Sequence, residues 1–143
     1  MKQLISLFLL SSFLLGLTAA TTKSSQLVGK WRGEDGGEVG FITFNQKGYV
    51  TFSIRDQEIG GKEYLSDGVV YDMKYETDET REPYTIDFVI MTHEDRIEIA
   101  RMPGIFKLVD KETLVINMKF DGTERPEFFD ETSDDQITLR KTK

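Results

Sequence analysis

Hydrophobic and polar positions alternate with a period of two along most of this chain. Val50, Phe52 and Ile54 alternate with Thr51, Ser53 and Arg55. Val69, Tyr71, Met73 and Tyr75 alternate with Val70, Asp72, Lys74 and Glu76. Leu114, Ile116, Met118 and Phe120 alternate with Val115, Asn117 and Lys119. Such alternation is the mark of half-buried strands, whose successive side chains face opposite ways. Ile86, Phe88 and Ile90 share one phase, but Val89 and Met91 make that segment apolar on both faces. Ile137 and Leu139 begin a last strand. No long segment carries a helical period.

Turn residues punctuate these segments. Asn45-Gln46-Lys47-Gly48 predicts a hairpin between strands over 39–44 and 49–55, with Gly48 supplying a positive φ. Thr92-His93-Glu94-Asp95 joins strands over 84–91 and 96–101. Pro103-Gly104 marks a break, and 105–109 and 113–120 follow as a further pair around Asp110-Lys111-Glu112. The residues from Gly33 to Glu38 read as a mobile acidic loop, and 121–135 is longer than a hairpin needs. The expected fold is all-β, an antiparallel up-and-down barrel of eight or nine strands, because closure removes exposed sheet edges. A two-sheet sandwich is the alternative. The sequence leaves open whether the interior is filled or hollow.

The first 20 residues differ from the rest. Met1-Lys2-Gln3, then an apolar run from Leu4 to Leu17, then Thr18-Ala19-Ala20 form the pattern of a secretory signal peptide. The expectation is export, periplasmic or secreted, with residues 21–143 as one domain. The 143-residue chain has no cysteine, so stability rests on its core and its sheet alone. Its formal net charge of −7 opposes nucleic acid and anionic membrane surfaces. A small apolar ligand and a peripheral protein partner remain as candidate partners, and a monomer is expected.

Few residues suggest catalysis or metal binding, and no catalytic residue, cofactor or metal is expected. His93 is the single histidine and sits in an acidic turn, where it reads as solvated. A haem would need it as an axial ligand, and Met73, Met91 and Met118 read as core fillers. Asp130, Glu131, Asp134 and Asp135 offer hard oxygens for calcium but lack the spacing of an EF-hand loop. The glycines at 33, 36, 37 and 40 precede no helix and cannot cradle a phosphate. The remaining candidate is the inward phase itself. Phe52, Ile54, Tyr71, Met73, Tyr75, Phe88, Ile90, Ile116 and Met118 would line one apolar space, with tyrosine hydroxyls as polar tips. The other reading of the same residues is a filled core.

Leu27-Val28-Gly29-Lys30-Trp31 resembles the first strand of lipocalins. Gly104-Ile105-Phe106-Lys107-Leu108, Leu114-Val115-Ile116, Arg125-Pro126-Glu127-Phe128 and Ile137-Thr138-Leu139-Arg140 follow in an order that resembles a family of small secreted bacterial lipocalin-like domains. The resemblance implies a barrel but no reaction. It also implies that Gly29, Trp31 and Arg140 form a barrel end, with the Arg140 guanidinium on the Trp31 indole. Two functions follow as expectations: a non-enzymatic binder of a small apolar or amphipathic molecule, or an interaction domain working through its loops, Phe128-Phe129 above all.

Overall fold

The computed structural model describes residues 23–143. The predicted signal peptide over 1–20 lies outside the described residues. A short helix α1 (Lys23–Leu27) precedes ten strands: β1 (Gly29–Asp35), β2 (Glu38–Phe44), β3 (Val50–Ile54), β4 (Gln57–Gly60), β5 (Tyr64–Ser66), β6 (Val69–Asp78), β7 (Tyr84–Thr92), β8 (Glu98–Asp110), β9 (Thr113–Met118) and β10 (Gln136–Lys141). They form one antiparallel sheet in the order β4-β3-β2-β1-β10-β9-β8-β7-β6-β5. Each strand pairs with its sequence neighbours, except that β1 pairs with β10 and that β4 and β5 share no ladder.

The sheet curls until β3 meets β6. Tyr49 bridges to Lys74. The Gly61 N–H donates to the Val50 carbonyl at 2.7 Å, the Met73 N–H to the Gly61 carbonyl at 2.8 Å, and the Tyr75 N–H to the Gly48 carbonyl at 3.0 Å. The result is a nearly closed up-and-down barrel, as the alternation predicts, and not a pair of separate sheets. The strand count exceeds the expected eight or nine because β4 and β5 are only 4 and 3 residues long, too short to show a period.

One predicted break is absent. Pro103-Gly104 lies inside the 13-residue β8 instead of ending a strand. Gly104 pairs with Met118, the last residue of β9, so Pro103 has no β9 neighbour. A strand tolerates proline where one flank is unpaired. Gly104 is needed for space, since a Cβ there would lie 2.8 Å from Met118 Cε and 2.9 Å from the Asn117 carbonyl.

The inward phase buries Trp31, Ile42, Phe44, Val50, Met73, Ile86, Phe88, Phe106, Leu114, Ile116, Met118 and Leu139, with Leu27 from α1. The outward phase is also buried at Val89, Ile105 and Val115. The long segment between β9 and β10 lies on that outer face. Arg125 donates to Asp87 at 2.6 Å and to the Gly104 carbonyl at 2.7 Å. Asn117 donates to the Phe128 carbonyl at 2.9 Å, and the Lys107 ammonium sits 4.4 Å from the Phe129 ring centroid. The strap runs beside Ile105, where Arg125, Pro126 and Glu127 line a groove with it.

The barrel end around Trp31 differs from expectation in one residue. Trp31 Nε1 donates to the Leu27 carbonyl at 2.7 Å. The cation on its ring is Lys141, not Arg140: Lys141 Nζ is 5.2 Å from the Trp31 centroid. Leu139 is buried and faces inward, so Arg140 faces outward, opposite Arg32 in the register, and donates to Thr113 Oγ1 at 2.6 Å. The two-residue period explains the correction. Gly29 also lies at this end, with φ of +137° and no Cβ to strike Lys141 Cε, which would be 2.9 Å away.

Candidate functional site

β1 and β2 form a tight hairpin whose turn is Gly36-Gly37, with φ of +56° and +84°. Positive φ at both central residues suits the right-handed twist of a hairpin. Asp35 pairs with Glu38, so the predicted mobile loop over 33–38 is mostly paired strand. Gly33 stands directly opposite Gly40, in the same phase as Trp31 and Ile42. The inner face therefore carries two positions without side chains, side by side.

Around that bare patch lies a cleft of about 240 Å³. It opens at the end of the barrel away from α1. Ile42, Phe52, Ile54, Phe120, Ile137 and Leu139 line it, Asp35 and Glu38 of the hairpin stand at its margin on the inward phase, and Glu34 borders it from the outward phase. Leu139 leans into the room left by Gly33, where a Cβ would lie 2.7 Å from Leu139 Cδ2. At Gly40 a Cβ would clear its nearest neighbour, Ile54 Cγ1, at 3.4 Å, so a longer side chain there would fill the cleft. Phe52 and Phe120 meet edge to face at 6.1 Å, and Phe52 meets the core ring of Phe88 at 5.4 Å. The cleft thus ends on packed aromatic core. Ile54 and Phe120 are 44% and 49% exposed, apolar surface left open to water.

Of the nine residues expected to line one apolar space, Phe52 and Ile54 line the cleft. Met73, Phe88, Ile116 and Met118 are buried in the core, and Tyr75 and Ile90 pack against it. Tyr71 is half-buried, with its ring 5.7 Å from that of Tyr64 near the barrel seam. The Tyr75 hydroxyl donates to the Asn45 carbonyl at 2.9 Å, and burial raises its pKa above the ordinary phenol value. The structure does not bring the nine onto one open space. It adds Gly33, Gly40, Ile42, Phe120, Ile137 and Leu139 to the cleft. Gly33 and Gly40 carried a readable signal, because both fall in the inward strand phase.

The cleft's carboxylates are solvent-facing. Glu34 pairs with Arg32 at 3.4 Å, and Glu38 pairs with Arg55. Exposed pairs of this kind contribute little and exchange readily. Asp35 has no ion pair among the described residues.

His93 is not a solvated turn residue. Its Nδ1 is 3.0 Å from Asp72 Oδ1, and its Nε2 is 3.0 Å from Glu63 Oε1. Asp72 is fully buried on β6, and also accepts from the Glu63 N–H at 2.8 Å and from Arg96. Burial alone would raise the Asp72 pKa, but these donors outweigh it and hold the carboxyl below its ordinary value. Both ring nitrogens of His93 face carboxylates, the buried Asp72 and the exposed Glu63. The cluster acts as a clamp linking the β4–β5 connection, β6 and the turn before β8.

In the strap, Asp130 Oδ1 accepts from the Thr132 N–H at 2.9 Å and its hydroxyl at 2.7 Å, and these bonds lower the Asp130 pKa. Among the described residues, no three histidine or acidic side chains converge as a metal would require. Comparisons with protein families, curated proteins and solved structures find no match.

Proposed function

We propose that this chain is an exported, non-enzymatic, lipocalin-like protein that binds a small apolar or amphipathic molecule at its barrel mouth. The observation that carries this reading is the apolar cleft that surrounds the opposed pair Gly33 and Gly40. A cleft lined by apolar side chains with a few polar groups at its margin is the common form of a small-molecule site. Its size favours a compact ligand; a dry apolar cavity of about 150 Å³ accepts benzene. The leader pattern at the N-terminus supports export.

Displacement of a fluorescent apolar probe tests the reading. The protein should hold the probe, and Gly40→Val should weaken it at least roughly tenfold while the thermal midpoint stays within a few degrees. Valine suits a strand, and Gly40 lies outside the positive-φ region. Equal binding by the two proteins would contradict the proposal.

A second reading has one observation in its favour. The Phe128 side chain is 68% exposed although its backbone carbonyl is tied to Asn117. Such a residue suits a protein contact. Phe128→Ser should then abolish capture of a reproducible envelope partner; unchanged capture would remove this reading.

A further inference from the structure

We infer that the mouth cleft selects small amphiphiles with a cationic head, an inference that rests on the binding reading above. Among the described residues, the cleft's lining includes Glu34, Asp35 and Glu38 and no lysine or arginine. Asp35 and Glu38 pair with each other across the β1–β2 hairpin on the inward phase they share with Gly33 and Gly40, so they stand on one side of the opening, above that bare patch. An apolar tail placed against Ile42, Phe52 and Phe120 leaves its head group beside them.

The arginines near this margin do not reverse its sign. Arg32 pairs with Glu34 on the outward phase of β1 that both share, and Arg55, which follows β3, pairs with Glu38. Both pairs are exposed, so an incoming ammonium can share or replace the arginine at small cost. Asp35 offers its charge without such competition among the described residues. The formal net charge of −7 adds a long-range field of the same sign. An anionic amphiphile would meet like charge at the margin and in the approach, which sets this cleft apart from a fatty-acid site. The cleft's volume of about 240 Å³ matches a short alkyl or single-ring amine better than a long-chain lipid.

Three probes with one eight-carbon tail isolate the head group: octylammonium, octanol and octanoate, titrated into the full mature protein by calorimetry. Octylammonium should bind roughly three- to tenfold tighter than octanol, and octanoate should bind weakest. Raising the salt from low to about 0.5 M should shrink the spread, since screening falls to a few ångströms. The double variant Asp35→Asn, Glu38→Gln should lose the preference for octylammonium and keep its octanol affinity. Octanol or octanoate binding as tightly as octylammonium, or a preference that survives the double variant, overturns the charge inference and leaves the cleft reading standing. Failure of all three probes to bind overturns both.

Discussion

The ammonium of Lys141 sits 5.2 Å from the centre of the Trp31 ring, and the two residues face each other across the β1–β10 ladder. This contact joins the first strand to the last. Lys141 Nζ also donates to the Gln26 carbonyl at 3.1 Å, so the same side chain ties α1 to the barrel end. A cation on an indole face contributes about 0.5–2 kcal/mol, more as water is excluded. Lys141→Met keeps the apolar stem and removes the charge. It should cost about 1–2 kcal/mol in urea unfolding, and Arg140→Met, which acts on the outer face, should cost clearly less. The reverse order would return the indole's partner to Arg140.

Gly29 makes that contact sterically feasible. Its φ of +137° disfavours any side chain, and a Cβ would lie 2.9 Å from Lys141 Cε. Gly29→Ala should destabilise by about 1–3 kcal/mol. Combined with Lys141→Ala, its cost should fall, because part of the clash is gone. Additive costs in this double-mutant cycle would show that Gly29 and Lys141 act independently.

The Asp72 clamp predicts acid sensitivity with a definite sign. The folded-state pKa of Asp72 lies below its ordinary value because the Glu63 N–H, His93 and Arg96 outweigh the effect of burial. The unfolded chain therefore takes up this proton at higher pH than the folded chain. The stabilisation is fully present above the ordinary carboxylate range of about 4 and is lost as pH falls through the lower folded value. Asp72→Asn should cost about 2–4 kcal/mol at neutral pH. The gap between wild type and variant should narrow steadily below about pH 4. A gap independent of pH would exclude the carboxylate as its source.

The strap depends on Arg125, which bonds both Asp87 and the Gly104 carbonyl. Arg125→Ala should cost about 1–2 kcal/mol and speed proteolysis between Lys119 and Asp135. Asp87 retains Arg101 at 2.9 Å, so the sheet beneath should remain folded. An unchanged cleavage rate would mean the strap is held by its other contacts.

Much of the barrel was legible because it rests on local alternation and turn chemistry. The Asn45–Gly48 hairpin is one case: Asn45 Oδ1 accepts from the Lys47 and Tyr49 N–H groups at 3.0 and 2.9 Å, and Gly48 has φ of +87°. Two of the misreadings have a different cause, since each depended on a neighbour distant in sequence. Pro103 reads as a break until the end of β9 is known. His93 reads as solvated until β6 brings Asp72 and the β4–β5 connection brings Glu63. In the candidate site, Phe52 and Ile54 followed from their phase. Gly33 and Gly40 became visible as a pair only through the hairpin register, which a two-residue turn at Gly36-Gly37 sets.

The central claim is that the Gly33–Gly40 recess receives a ligand. Amide chemical-shift mapping by NMR during titration with octylammonium, on the wild type and on Gly40→Val, tests it most directly. The account predicts that signals from Gly33, Gly40, Ile42 and Ile137 shift in the wild type, and that those of Gly33, Ile42 and Ile137 stay still in the variant. Shifts centred on Phe128 or on Trp31, or equal shifts in both proteins, would contradict it.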